Sequence, residues 1–141
     1  MKVVINRCFG GFGLSDKATE MVMKRKGLGC FRYKQTKYGF DGGVDEFTRY
    51  ESFNDNELFV YYHTKDYGEK TNEFSDETYW YGWKLERNDA DLVAVVEELG
   101  EKLASGTLAE LKVVEIPDDV NWEIDEYDGL ETIHEVHRSW S

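Results

Sequence analysis

The sequence predicts an α+β domain, with a largely antiparallel sheet and two helices packed on one face. Three observations point there. Short β-branched and aromatic runs at residues 3–5, 58–62, 79–83 and 111–116 are cut apart by polar turns. Two longer segments, 16–26 and 88–104, repeat apolar residues at helical spacing. Finally, 141 residues suit a single domain with a real core.

Val3, Val4 and Ile5 form the first buried strand. A loop of Phe9, Gly10, Gly11, Phe12, Gly13 and Leu14 follows, and Ser15 is placed to cap a helix over residues 16–26. Two readings of this loop stay open. It is either a tight strand-to-helix turn with aromatics tucked beneath it, or the wall of a site for a phosphate-bearing ligand at a helix N-terminus. Ala18, Met21 and Val22 share the apolar face of the helix, Lys24, Arg25 and Lys26 close it, and Gly27 is a natural residue to end it.

Residues 28–56 carry weak signals beyond a possible strand at 30–33. The run Leu58, Phe59, Val60, Tyr61, Tyr62 predicts a strand, and 63–78 read as an exposed polar excursion. Sixteen of the 21 aromatics lie between residues 31 and 83, more than ring-stacking on a ligand would need, so most belong to the sheet and core. The second helix starts with Asn88 as its cap and buries Leu92, Val95, Val96, Leu99 and Leu103, with Arg87 beside its N-terminus. A strand at 111–116 ends at Pro117. Residues 120–125 alternate with Val120, Trp122 and Ile124 inward and Asn121, Glu123 and Asp125 outward; Asp128 and Gly129 make a tight turn into a last strand at 131–140.

Charge is divided unevenly. Residues 1–38 carry nine Lys/Arg against two acids, a net of +7, while the rest carry eight against 27, a net of −19. Duplex nucleic acid would be repelled by most of such a surface. A local basic site for a small phosphorylated ligand remains open, as does an acidic protein that imitates nucleic acid. No segment approaches the ~20 apolar residues that cross a bilayer, and the N-terminus does not read as a signal peptide. Cys8 and Cys30 suggest a reducing compartment rather than a disulfide scaffold, and no His or Cys falls in a recognised metal-ligand spacing. No nucleophile–base motif, Walker lysine or dinucleotide-binding glycine pattern occurs, so binding without catalysis, cofactor or metal is the expectation.

Several short motifs then carry a resemblance: Asn6 with Gly10-Gly11-Phe12-Gly13-Leu14-Ser15; residues 91–100; residues 111–120; Glu126-Tyr127-Asp128-Gly129; and His137-Arg138-Ser139-Trp140. Together they resemble a group of small bacteriophage proteins similar to the anti-Thoeris signal sponges, over residues 1–27 and 85–141, and the resemblance implies that the aromatic-rich stretch at about 31–83 is an insertion relative to shorter members. The resemblance implies a protein of the infected host's cytoplasm that sequesters cyclic ADP-ribose isomers, with cyclic oligonucleotides as a further ligand class, and does not cleave them. It also implies a homo-oligomer, a dimer or hexamer, with pockets between subunits. Arg87, Asn121 and Arg138 would make the polar contacts, and the loop of Phe9, Gly10, Gly11, Phe12, Gly13 and Ser15 would form the wall. The runner-up is an acidic phage protein that inhibits a host protein by direct binding; an enzyme acting on a nucleotide ranks below both.

Overall fold

In the computed structural model, residues 1–40, 43–51 and 60–136 are described. The chain runs β1 (Lys2–Asn6), α1 (Asp16–Arg25), β2 (Phe31–Lys37), β3 (Glu46–Arg49), β4 (Val60–His63), β5 (Lys70–Thr71) and β6 (Tyr79–Trp80). It continues through α2 (Ala90–Leu99), α3 (Glu101–Ala104), β7 (Leu111–Glu115), β8 (Trp122–Tyr127) and β9 (Leu130–Glu135). This is the expected α+β class, and every strand pairing is antiparallel.

The strands form three sheets rather than one: β1–β7, β5-β3-β2-β4-β6, and the β8–β9 hairpin. The edge of β1 shows why its ribbon stays at two strands. Val4 N donates to the Arg87 carbonyl at 2.8 Å, and Asn6 N donates to the Glu131 carboxylate at 2.7 Å. Two of the outward N–H groups of β1 are thereby satisfied without a third strand. The aromatic stretch is the five-stranded sheet itself. β3 and β5 were not legible, and residues 63–78 are no loose excursion, because Tyr67 and Phe74 from that segment pack on Tyr33 and His63.

The helices bridge the β1–β7 ribbon and the aromatic sheet. Val4, Val22, Met23, Leu92, Val96, Leu111 and Trp80 meet in one core. Met23 takes the buried place expected of Met21, which is half-buried. Ser15 caps α1 as expected, its Oγ accepting from Ala18 N at 3.2 Å, and Gly27 ends it at φ +75°.

The second helical segment departs from expectation twice. Its cap is Asp89, not Asn88, since Asp89 Oδ1 accepts from the N–H groups of Asp91 (2.9 Å) and Leu92 (3.0 Å). Lys26 reaches the other Asp89 oxygen at 2.7 Å and tethers this cap to the end of α1. The helix then breaks at Gly100 (φ +88°) into α2 and α3, and this turns Leu103 outward to 65 % exposure. Asp128 and Gly129, at φ +48° and +91°, make the expected turn between β8 and β9. The last strand ends at Glu135; residues 137–141 lie outside the described ones.

Candidate functional site

The glycines of the 10–13 loop answer first to packing of the chain on itself. A Cβ on Gly10 would lie 1.7 Å from the Leu108 carbonyl oxygen, and Gly11 holds φ +92°. A Cβ on Gly129, from the β8–β9 turn, would lie 2.4 Å from Gly11 N. Asn6, fully buried, closes this knot: its Nδ2 donates to the carbonyls of Cys8 (2.8 Å) and Gly129 (2.7 Å), and its Oδ1 accepts from Glu110 N (2.8 Å). Two of the motifs behind the resemblance, Asn6 with the 10–15 loop and residues 126–129, therefore meet in space around one buried asparagine.

Behind the knot lies a cleft. Residues 10–16, Val60 and Tyr62 of β4, and the 105–109 loop enclose about 330 Å³. A neighbouring recess of about 180 Å³ shares Phe12, Gly13, Leu14, Val60 and Tyr62, and adds Tyr79, Tyr81 and Gly82. The loop thus does line a cavity, but not one arranged for an anion. Ser15 already caps α1, and its Oγ also donates to the Leu103 carbonyl at 2.8 Å. Asp16 stands in the first turn with its carboxylate accepting from the Tyr62 hydroxyl. Burial, and then that hydrogen bond, hold the Tyr62 phenol well above its usual range. Among the described residues no lysine, arginine, histidine or cysteine lines either cavity. The other Asp16 oxygen is buried and faces the Arg32 guanidinium at 4.0 Å, so this carboxylate is paired within the fold. The loop is thus a tight turn that also lines a cavity, with Ser15 capping the helix behind it.

Arg87 is not beside an open helix end. Its guanidinium grips the Glu131 carboxylate in two bonds, NH1–Oε1 at 2.5 Å and NH2–Oε2 at 2.8 Å, and its centre lies 3.6 Å from the Phe12 ring centroid. Glu131 is only 5 % exposed and also receives Asn6 N. Arg87 thus acts on the cleft through the ring of Phe12, which lines both cavities. Phe9 points outward at 66 % exposure. Asn121 is exposed at the start of the hairpin, its carbonyl accepting from Val136 N at 2.8 Å. Arg138 lies outside the described residues. Of the expected contacts, the structure gathers Gly10, Gly11, Phe12, Gly13 and Ser15 at the cleft and puts Arg87 behind Phe12.

Sequence reading missed Asp16, Tyr62, the 105–109 loop and Glu131. Only Glu131 left a clear signal: strand alternation puts it on the face of Ile133, so an acid stands where an apolar residue is expected.

Two further polar groups stand apart. On the outer face of the hairpin, His134 Nε2 lies 2.6 Å from Glu123 and Nδ1 lies 2.9 Å from Asp125. Their donor atoms lie within 4.8 Å of one another, the arrangement among the described residues most able to hold a metal ion, though all three residues are exposed. In the aromatic sheet, His63 is 1 % exposed and stacks on Phe74 at 4.0 Å. Thr78 Oγ1 donates to the Ser75 carbonyl and so receives Nδ1–H of His63 at 3.0 Å; Nε2 has no hydrogen-bond partner among the described residues. Burial lowers the His63 pKa to about 4. Burial also pushes the Cys30 thiol up to about 11, which keeps it unreactive near neutral pH.

Comparison with known protein families, with curated proteins and with solved structures finds no match to this chain. No helix among the described residues is long and apolar enough to cross a membrane.

Proposed function

We propose that this protein is a phage anti-defence sponge, which binds a cyclic ADP-ribose-type immune signal in the infected host's cytoplasm and holds it uncleaved. One observation carries the reading: the loop bearing the resemblance, residues 10–15, is the wall of a cleft of about 330 Å³, at the lower end of the size range of small-molecule sites. The groups in that cleft suit holding more than reacting. Its serine cap is committed to Leu103 and Ala18, and its one carboxylate takes the Tyr62 hydroxyl. Arg138 and Asn121 would complete the site from a second subunit of a homo-oligomer, a dimer or hexamer, and cyclic oligonucleotides are a further ligand class. A thermal-shift screen of the purified protein against cyclic ADP-ribose isomers and cyclic di- and trinucleotides tests this. Stabilisation at near-stoichiometric ligand supports it, and no shift with any of them counts against it.

A second reading draws on the outer face of β8–β9, where Glu123 and Asp125 project to solvent in an acidic C-terminal third. On this reading the protein occupies a basic host protein. A pull-down from host lysate would then recover such a partner and lose it at high salt.

A further inference from the structure

The two-stranded sheets have four outer edges, and the chain's own groups engage three of them. On β1, Val4 N and Asn6 N donate to the Arg87 carbonyl and the Glu131 carboxylate. On β7, Leu111 N donates to Ser105 Oγ at 2.8 Å and Val113 N to Glu101 Oε2 at 2.6 Å. The outer edge of β9 lies against β1, and its Glu131 carbonyl accepts from Arg7 NH1 at 2.9 Å. β8 pairs with β9 and with no other strand among the described residues. The two-residue turn at Asp128 and Gly129 makes Tyr127 and Leu130 a hydrogen-bonded pair. Alternation then turns the N–H and C=O groups of Trp122, Ile124 and Glu126 away from β9. The bond from Val136 N to the Asn121 carbonyl at 2.8 Å keeps the same phase. No proline or bulge interrupts this edge, which runs for six residues, about 20 Å.

The side chains along the edge define what fits it. Residues 122–135 hold six acids, Glu123, Asp125, Glu126, Asp128, Glu131 and Glu135, and no lysine or arginine. Arg87 takes Glu131, which leaves five. Glu123 and Asp125 project from one face, beside His134 at 2.6 and 2.9 Å, and the half-buried Trp122 and Ile124 from the other. A second copy of β8 on this edge would set carboxylates against carboxylates, which is destabilising. Resting on the second reading above, we infer that β8 is a docking edge for an extended basic segment of another protein, which adds to the hairpin as a third strand. Such a segment alternates lysine or arginine, opposite Glu123 and Asp125, with β-branched residues opposite Trp122 and Ile124. The backbone ladder holds the segment, and the carboxylates select it.

Fluorescence anisotropy on the full chain tests this with three short labelled peptides: alternating lysine and valine, alternating glutamate and valine, and the lysine peptide N-methylated at every amide. The lysine–valine peptide should bind at low salt, and the glutamate peptide should not. The methylated peptide keeps the charge but can donate no ladder bond, and it should bind more weakly by about tenfold or beyond. Glu123→Gln with Asp125→Asn, both exposed, should weaken the lysine–valine peptide about tenfold. Glu126→Pro, which removes an outward N–H and leaves the β9 ladder intact, should weaken it several-fold. Equal binding of the methylated and unmethylated peptides would overturn the inference, because charge alone would then make the contact. So would no binding of the lysine–valine peptide, or self-association that Glu126→Pro abolishes, which would give the edge to a second copy. A pull-down from host lysate separates the inference from the reading beneath it. If the unmodified chain and Glu126→Pro retain a basic host protein equally, that reading stands and strand addition fails. If the peptide binds as described and no basic host protein is retained, the docking edge stands and that reading fails. If neither binds, both fail.

Discussion

Replacing Glu131 by glutamine tests the buried junction that holds the cleft's back wall. The carboxylate, 6 % exposed as a side chain, accepts Asn6 N at 2.7 Å and two guanidinium bonds at 2.5 and 2.8 Å. Breaking a buried ion pair by removing one partner costs about 3–5 kcal/mol. Glutamine keeps an oxygen for Asn6 N but turns an NH₂ group toward Arg87, which is only 20 % exposed. The expected loss is therefore about 3 kcal/mol, at the lower end of that range. In urea unfolding with a slope near 2 kcal/mol/M, this moves the midpoint down by roughly 1.5 M. Arg87→Met with Glu131→Gln should recover part of the loss, since it removes both desolvated charges and keeps an oxygen for the buried Asn6 N–H. A loss below about 0.5 kcal/mol for Glu131→Gln would refute the argument, because it would mean that water already screens the pair.

Gly129→Ala should cost clearly more than Gly100→Ala, read as urea midpoints. Both hold φ near +90°, worth about 1–2 kcal/mol to an L-residue, but only at Gly129 would the new Cβ strike backbone, at Gly11. His63, with a folded pKa of about 4 against an ordinary 6.5, should make stability pH-dependent. Its contribution is complete above pH 6.5 and declines as pH falls toward 4, by at most about 1.4 kcal/mol per pH unit, because the unfolded chain takes up the proton first. His63→Phe should flatten that slope in unfolding curves measured from pH 7 to 4. Arg138→Ala should weaken cyclic ADP-ribose binding by about 1.5–3 kcal/mol in calorimetry, the scale of a charged hydrogen bond, without lowering the urea midpoint.

What the sequence disclosed follows from where its residues make local decisions. Ser15, Gly27 and the Asp128-Gly129 pair act on their immediate neighbours through backbone geometry, and each stands where spacing put it. The Asn88/Asp89 choice went the other way because Lys26, 63 residues off in the chain, holds Asp89. β3 and β5 were hidden since their residues are mostly polar or charged and are ordered by pairing with distant partners, not by a pattern of their own. The cleft shows the same division. Its loop was legible as a run of glycines, but its chemistry is set by Asp16 meeting Tyr62 and by Arg87 meeting Glu131, contacts spanning 46 and 44 residues. A glycine-rich turn before a helix is open to an anion until the side chains around it are known, and here they include a carboxylate and no cation among the described residues lining the cleft.

The sponge proposal faces its most direct test in the fate of the ligand. Purified protein is saturated with a cyclic ADP-ribose isomer, freed of excess by gel filtration, denatured by heat, and the released material identified by mass spectrometry. The account predicts close to one intact ligand for each cleft after hours of incubation. Recovery of a linear or cleaved product would make the protein an enzyme, and recovery of no ligand after gel filtration would remove sequestration altogether.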